Sequence, residues 1–193
     1  ELGEPSQPET DAEQIRELFP HTCGQPVARL VPGESNLRSE PLRVGVVLSG
    51  GQAPGGHNVI AGLFDALQAA NSASRLLGFL KGPGGVIKGK YVEITTDLVD
   101  SYRNTGVFDM IMSGRDKIET PEDLAACKSN LESMNLDGLV IIGGDDSNTN
   151  AAVLAEYLRA QESRTVVIGV PKTIDGDMKN GQIEASFGFD TAC

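Results

Sequence analysis

Apolar residues recur in short runs that alternate with amphipathic stretches from Arg43 onward. The runs are four or five residues long and nearly uncharged, a pattern typical of buried parallel strands. They predict five strands, at residues 44–48, 76–80, 108–112, 139–142 and 166–170.

Between these runs, apolar residues fall at helical spacing and predict helices at 58–70, from Thr120 onward, and at 148–159. The second helix has a capping threonine, a proline in its first turn and acids at its positive end. Its buried face would carry Leu124, Cys127, Leu131 and Met134. The alternation of strand and helix predicts an α/β fold, an open and mostly parallel Rossmann-like sheet with helices on both faces.

Residues 1–42 break this pattern, since they hold six of the ten prolines. They predict an extended N-terminal arm with at most a short helix around residues 11–19. Residues 43–193 would form one domain. Residues 188–193 resemble the first turn of a further helix, so we expect this domain to be truncated and the chain to be part of a longer polypeptide.

The formal net charge of −11 argues against nucleic acid and anionic membranes as partners, because both require a basic surface. No apolar stretch approaches the roughly 20 residues of a membrane helix, and three widely spaced cysteines fit a reducing cytosol. A phosphate substrate remains compatible, since exposed charges beyond about 8–10 Å are largely screened. Its site would need amides, helix ends, a few cations and a divalent metal.

Two glycine-containing loops follow the first and third predicted strands, at the edge where open α/β sheets bind ligands. Residues 49–58 include four glycines before a helix, which lets backbone amides approach an anion. This loop lacks the Walker and dinucleotide spacings, and a tight strand-to-helix turn is the alternative. Residues 113–117 place Arg115 beside a glycine, which suits a phosphate oxygen; a solvated charge cluster is the alternative.

A third loop, Gly143-Gly144-Asp145-Asp146-Ser147, combines close backbone approach with a carboxylate for magnesium. Its alternative is a helix start with acids near the positive end of the dipole. Asp146 conflicts with a phosphate site. A carboxylate about 4 Å from a phosphate charge costs about 4 kcal/mol at an effective dielectric of about 20. Either phosphate lies away from Asp146, or Asp146 excludes a ligand.

The fourth loop, residues 171–177, carries Lys172, Thr173, Asp175 and Asp177 directly after a buried strand. A turn is the alternative for acids two apart around a glycine. Together with the third loop, it supplies carboxylates for a metal, amides and a cation for phosphate, and a spare carboxylate as a base. These groups make up a phosphoryl-transfer site.

Taken in order, these loops resemble the 6-phosphofructokinase family, and within it the pyrophosphate-dependent branch of plants and related eukaryotes. The matching stretches are residues 48–58, 108–119, 143–150, 171–177 and 186–192. The resemblance implies reversible phosphoryl transfer from pyrophosphate to the 1-hydroxyl of fructose 6-phosphate, giving fructose 1,6-bisphosphate, with Mg²⁺ as cofactor. It also implies a cytoplasmic protein that forms homo- or hetero-oligomers at full length.

The resemblance implies donor-side roles for three residues. Gly51 would lie in the loop that cradles the donor phosphate, Arg115 would bind the transferred or leaving phosphate, and Asp145 would hold magnesium.

It likewise implies acceptor-side roles for residues of the fourth loop. Asp175 would be the general base for the sugar hydroxyl, Thr173 would contact the reacting end of the sugar phosphate, and Asp177 would support the base and metal.

Two further positions would choose the donor. ATP-using relatives carry glycine at the position of Asp146 and usually at that of Lys172. Asp146 would fill and negatively charge the space that the α-phosphate of a nucleotide needs, and Lys172 would neutralise a small, highly charged pyrophosphate.

Three alternatives remain: an ATP-dependent 6-phosphofructokinase, an NAD- or lipid-kinase relative, and a regulatory subunit without catalysis. The NAD- or lipid-kinase relative should lack the stretch Pro171-Lys172-Thr173-Ile174-Asp175. The resembled family also has sugar-phosphate arginines, a histidine and a Met-Gly-Arg motif. We expect these to lie beyond residue 193. We therefore expect the 193-residue chain alone to be inactive.

Overall fold

The computed structural model describes residues 1–29, 31–32, 40–53, 55–105 and 109–173. Its elements, in chain order, are β1 (Leu2–Pro5), α1 (Ala12–Leu18), β2 (Pro26–Ala28), β3 (Arg43–Ser49), α2 (Gly56–Ala70), β4 (Arg75–Phe79), α3 (Pro83–Ile87), β5 (Tyr91–Ile94), α4 (Thr96–Tyr102), β6 (Ser113–Gly114), α5 (Pro121–Ser133), β7 (Gly138–Gly143), α6 (Asp145–Ala160) and β8 (Val166–Pro171). None of the helices in these ranges is long and apolar enough to cross a membrane.

The main sheet has the strand order β5-β4-β3-β7-β8, with the short β6 paired to the end of β3. All its pairs are parallel except β4 with β5, which is antiparallel. The predicted mostly parallel sheet is thus confirmed. The sequence did not predict the antiparallel edge strand β5. It also did not predict the short helices α3 and α4, which precede and follow β5 in the chain.

Two apolar clusters cover the two faces of this sheet. Val46 and Leu48 point to the cluster that contains Ile60 of α2. Their neighbour Val47 points to the other cluster, with Leu131 of α5, as expected where successive strand residues face opposite ways. Helices therefore lie on both faces, as predicted.

Four of the predicted strands form, as β3, β4, β7 and β8, and the three predicted long helices form as α2, α5 and α6. The strand predicted at 108–112 is wrong over its described residues. Residues 109–111 form a turn, and Met112 has a left-handed φ of 59° that a strand does not accommodate. Ile111 is fully buried from this turn. The run is apolar because its residues pack in the core. The spacing of apolar residues alone cannot distinguish such a buried turn from a strand. Phe108 lies outside the described residues.

The N-terminal residues contain more structure than an extended arm. β1 and β2 form a two-stranded antiparallel ribbon, and α1 confirms the expected short helix. The carboxylate of Glu156 on α6 accepts hydrogen bonds from the backbone N–H groups of His21 and Thr22, both at 2.9 Å. The division between an arm and a domain at residue 42 stays a prediction.

Candidate active site

The carboxyl ends of β3, β6, β7 and β8 meet at one edge of the sheet, because each of these pairs is parallel. Backbone bonds join the loops that follow these strands. Gly50 N donates to Gly114 O at 2.8 Å, and Lys172 N donates to Gly143 O at 2.9 Å. The expectation that these loops share one edge is confirmed.

Two cationic side chains lie over the glycines of the first loop. Gly50 has a φ of +85°, and a Cβ placed on it would lie 3.7 Å from Nζ of Lys172. A Cβ placed on Gly51 would lie 3.5 Å from Nη2 of Arg115. The positive φ favours glycine at position 50, and both distances are ordinary van der Waals contacts, so the ammonium and the guanidinium lie beside the backbone of this loop.

These two cations repel each other at close range. Burial lowers the pKa of Lys172 below its ordinary value of 10.5, and the positive charge of Arg115 lowers it further. No ion pair among the described residues includes Lys172 or Arg115. An anion bound between them would relieve this repulsion, so the arrangement favours a ligand of high negative charge.

Helix α6 begins at the same edge and adds a second attraction for anions. Its N-cap, Gly144, has no side chain to accept a hydrogen bond, and the first helical bond runs from Asn148 N to Gly144 O at 2.9 Å. The preceding N–H groups are left at the positive end of the helix dipole. Asp145 and Asp146 are exposed in this first turn. An anion and a carboxylate-bound cation can therefore both lie near the helix start.

A cleft of about 230 Å³ lies between these elements. It is lined by Ser49, Gly50, Arg115, Asp116, Lys117, Asp146, Ser147 and Asn150. Sequence reasoning did not single out Asn150. The signal that it belongs here is its spacing of four residues from Asp146, which places both side chains on one face of α6.

Hydroxyl groups fasten the loops to one another. Oγ of Ser113 donates to Gly50 O at 2.7 Å and is 3.2 Å from Leu48 O, which ties the Arg115 loop to the glycine loop. Oγ of Ser147 donates to Oγ of Ser49 at 2.8 Å, which ties α6 to the end of β3. The glycine loop, the start of the Arg115 loop and the start of α6 are thus joined to one another.

The structure brings together the predicted residues Gly51, Arg115 and Lys172, with Asp146 in the wall of the adjoining cleft. Asp145 lies on the exposed first turn of α6, and Thr173 is half-buried. The predicted base Asp175 and its neighbour Asp177 lie outside the described residues.

Comparison of the sequence with known families and proteins gives consistent matches. The family model described as phosphofructokinase matches residues 43–193. The chain is 58% identical over 193 residues to pyrophosphate–fructose 6-phosphate 1-phosphotransferase subunit beta 2 of Arabidopsis thaliana, covering 99% of this chain and 34% of that protein. It is 55% identical to pyrophosphate–fructose 6-phosphate 1-phosphotransferase of Porphyromonas gingivalis, covering 98% of this chain and 35% of that protein.

A third relative is subunit alpha 1 of the Arabidopsis thaliana enzyme of the same name, at 47% identity, with 95% of this chain and 31% of that protein covered. The chain thus spans about a third of the length of the curated relatives it matches.

Solved structures with the same fold come from the same group of proteins. A pyrophosphate-dependent phosphofructokinase from Nitrosospira multiformis matches with a TM-score of 0.64 at 18% identity, covering 70% of this chain and 35% of that chain. Pichia pastoris phosphofructokinase in the T-state matches with a TM-score of 0.57 at 22% identity, covering 74% of this chain and 16% of that chain. At these identities the likeness shows the shared fold.

Proposed function

This chain belongs to the phosphofructokinase family, and we propose that the full-length protein containing it is a pyrophosphate-dependent phosphofructokinase. The reaction would be reversible phosphoryl transfer between pyrophosphate and fructose 6-phosphate. The observation that carries this proposal is the convergence of Lys172 and Arg115 on the Gly50-Gly51 backbone beside a cleft walled by Asp146. Relatives that bear this activity in their names are 55–58% identical over nearly the whole chain.

On the donor side, the geometry favours a compact, highly charged phosphate. Arg115 can donate two parallel hydrogen bonds to phosphate oxygens, whereas Lys172 acts as a point charge. Helix α6 begins at the same edge of the sheet, and the positive end of its dipole favours a bound anion. The cleft of about 230 Å³ is smaller than the roughly 300–1,000 Å³ of pockets that enclose drug-sized ligands.

A magnesium ion at this donor site would need few protein ligands. Among the described residues, no group of three or more His, Cys, Asp or Glu side chains is arranged to hold a metal. Magnesium commonly binds through one or two carboxylates, substrate phosphates and water, and Asp145 on the exposed first turn of α6 would supply such a carboxylate. When bound, the ion neutralises charge on the phosphate oxygens.

On the acceptor side, the proposal assigns the roles implied by the family. Asp175 would take the proton of the sugar 1-hydroxyl, whose oxygen forms a bond to one phosphorus of pyrophosphate. The bond from that phosphorus to the bridging oxygen breaks, and inorganic phosphate leaves toward Arg115. Thr173 would contact the reacting end of the sugar phosphate, and Asp177 would support the base and the metal.

Donor choice distinguishes this proposal from an ATP-dependent phosphofructokinase. Asp146 lines the cleft next to the first turn of α6, where its carboxylate would repel the additional phosphate of a nucleotide. Lys172 would compensate the charge of pyrophosphate. A regulatory subunit without catalysis is the remaining alternative, and the presence of both Asp145 and Asp175 argues against it.

We further propose that the full-length protein acts in the cytoplasm as a homo- or hetero-oligomer. Relatives named as alpha and beta subunits support assembly from more than one kind of subunit.

The test is a donor competition assay on the full-length protein, with fructose 6-phosphate, magnesium and either pyrophosphate or ATP. We expect fructose 1,6-bisphosphate to form with pyrophosphate and ATP to substitute poorly. Efficient turnover with ATP would overturn the donor assignment, and no turnover with either donor would overturn the catalytic function. The 193-residue chain alone should be inactive, and robust turnover by it would contradict the need for residues outside it.

A further inference from the structure

Asn150 on α6 binds both backbone groups of a single residue in the Arg115 loop. The N–H of Ile118 donates to Oδ1 of Asn150 at 2.7 Å, and Nδ2 of Asn150 donates to the carbonyl oxygen of Ile118 at 2.8 Å. The side-chain amide thus forms a closed pair with one peptide residue. The Ile118 side chain is 1% exposed and packs in the core beside α5 and α6.

This pair carries the backbone hydrogen bonding of a loop that is otherwise held by the buried side chain of Ile118. Residues 115–119 form neither helix nor strand. Within the described parts of the chain, their backbone makes no hydrogen bond to other segments except the two with Asn150. At its start, the loop is held by the hydroxyl of Ser113 on Gly50. Arg115 therefore lies between two anchors, on Ser113 and on Ile118.

The same pair joins the two walls of the cleft. Arg115, Asp116 and Lys117 form one wall, and Asp146 and Asn150 form the other. Because Asn150 fixes Ile118 to α6, it sets the separation between Arg115 and the start of that helix.

We propose that Asn150 is a positioning residue that fixes Arg115 at the distance from α6 at which both can bind the same phosphate donor. This inference rests on the proposed function and gives a role to a residue that lines the cleft but was not among the predicted site residues. Loss of the pair would leave both backbone groups of Ile118 unsatisfied and would leave the loop held to α6 only by the packing of the Ile118 side chain. Donor binding would then weaken while the sugar site stayed intact.

Asn130 on α5 offers a matched control. Its Nδ2 donates to the carbonyl oxygens of Val86 and Ile87 at 3.0 and 2.8 Å, so it also fastens a neighbouring segment through two bonds with backbone groups. It is half-buried like Asn150, and it lines none of the clefts described above. Replacing each asparagine by alanine removes the same group from comparable surroundings.

The experiment compares Asn150→Ala, Asn150→Asp and Asn130→Ala in the full-length enzyme, with pyrophosphate and fructose 6-phosphate varied separately. The aspartate keeps the acceptor for Ile118 N–H, loses the donor to Ile118 O and adds a negative charge to the cleft wall. We expect Asn150→Ala to raise the KM for magnesium pyrophosphate about tenfold, and Asn150→Asp to raise it further because the added carboxylate also repels the donor. Both variants should leave the KM for fructose 6-phosphate unchanged. Asn130→Ala should change neither value, although its melting temperature should fall to a similar extent.

A double-mutant cycle with Arg115→Ala separates positioning from general weakening. If Asn150 acts through Arg115, then Asn150→Ala should raise the donor KM little further in the Arg115→Ala background. Any of three results would overturn the inference. The two substitutions could raise the KM for pyrophosphate by independent factors that multiply, Asn150→Ala could leave this KM unchanged, or it could raise the KM for both substrates equally. An unmutated enzyme that lacks pyrophosphate-dependent turnover would instead overturn the proposed function.

Amide hydrogen exchange on the unmutated protein tests the clamp without a variant. We expect the Ile118 amide to be protected before any donor is added, and those of Asp116 and Lys117 to gain protection only with magnesium pyrophosphate. Rapid exchange at Ile118 would overturn the inference even if every Asn150 variant failed to fold.

Discussion

The hydroxyl of Ser147 donates a hydrogen bond of 2.8 Å to the hydroxyl of Ser49, which joins the first turn of α6 to the last residue of β3. Ser49 is 5% exposed, so its hydroxyl cannot readily exchange this partner for water. The pair sets where the acidic first turn of α6 lies relative to the glycine backbone that follows Ser49. Donor binding should therefore depend on this bond, whose two residues both line the cleft.

We expect Ser49→Ala to raise the KM for pyrophosphate about tenfold and to lower the free energy of unfolding by about 1 kcal/mol. Steady-state kinetics and denaturant unfolding of the full-length protein would measure these effects. Ser133→Ala is the control, because the exposed hydroxyl of Ser133 bonds only to Asn130 O at the end of α5. That change should cost less than about 0.5 kcal/mol. Equal effects of both variants would show that the pair has no special role.

Lys172→Met should make the protein more stable and a poorer enzyme. Burial and the nearby Arg115 lower the pKa of Lys172, so folding disfavours its charged form. This destabilisation is fully present at pH values below the lowered pKa, and it disappears as the pH rises toward the ordinary value of 10.5. The gain in unfolding free energy from the methionine should therefore shrink across that interval, as measured by denaturant unfolding at several pH values.

The same variant should raise the KM for pyrophosphate by about tenfold or more, because a charged hydrogen-bond donor is lost. Lys128→Met is the control: this lysine pairs with Glu132 on the exposed side of α5. A stability gain that does not vary with pH, or an unchanged donor KM, would contradict the role given to Lys172.

Much of the fold follows from the sequence because its strands are buried on both faces. The runs that became β3 and β7 are short, apolar and bounded by glycine or polar residues, and they lie in the centre of the sheet. Parallel strands of this kind bring their carboxyl ends to one edge, so the grouping of Gly51 with Lys172 was also predictable. Arg115 reaches the same edge through the short strand β6, not through the strand predicted at 108–112.

Other features depend on tertiary contacts that no local pattern encodes. Met110 and Ile111 are buried from a turn, and Met112 has a left-handed backbone. The apolar run therefore has the composition of a strand without its geometry. The pairing of Asn150 with Ile118 joins residues 32 apart through a side-chain amide. The four-residue spacing from Asp146 places Asn150 at the cleft, but its bond to Ile118 has no local signal, because the loop that it holds is irregular.

Replacing both donor-choosing residues should change the donor. In the full-length enzyme, Asp146→Gly with Lys172→Gly should lower kcat/KM for pyrophosphate by about tenfold or more, since the charged contact from Lys172 is lost. It should also permit turnover with ATP, because the repelling carboxylate is removed. The control Lys128→Ala with Glu132→Ala removes one base and one acid from an exposed pair on α5. An unchanged preference for pyrophosphate would refute the role of Asp146 and Lys172.

Gly143→Ala should destabilise the protein at the junction of β7 and α6. A Cβ there would overlap Cβ of Ser147 and lie 3.0 Å from the carbonyl oxygen of Ser49, both held by surrounding structure. We expect a loss of about 1–3 kcal/mol in unfolding free energy. Gly62→Ala on α2 is the opposite case, because a Cβ there meets nothing within 4 Å. The better helix propensity of alanine should increase stability by about 0.8–1 kcal/mol. If both substitutions changed the free energy of unfolding in the same direction, the packing argument would be contradicted.

Glu156 should determine whether the N-terminal residues stay attached to α6. Its carboxylate, with a side chain 13% exposed, accepts bonds from the N–H groups of His21 and Thr22 and, at 2.7 Å, from Oγ1 of Thr22. Hydrogen bonds to a charged group are roughly twice as strong as neutral ones. Glu156→Ala should therefore speed amide exchange at both residues by about tenfold or more, and Glu156→Gln should cause a smaller increase because its oxygen can still accept.

Glu132→Ala, which removes an exposed carboxylate of α5 that pairs with Lys128, should leave exchange at these two amides unchanged. If Glu156→Ala left it unchanged as well, the N-terminal residues would be held by contacts other than this carboxylate. Because Glu156 lies on the helix whose first turn carries Asp145 and Asp146, the same variant also tests whether attachment of these residues affects donor binding. The described bonds reach only the distal half of α6, so we expect the KM for pyrophosphate to stay within about twofold of the unmutated value.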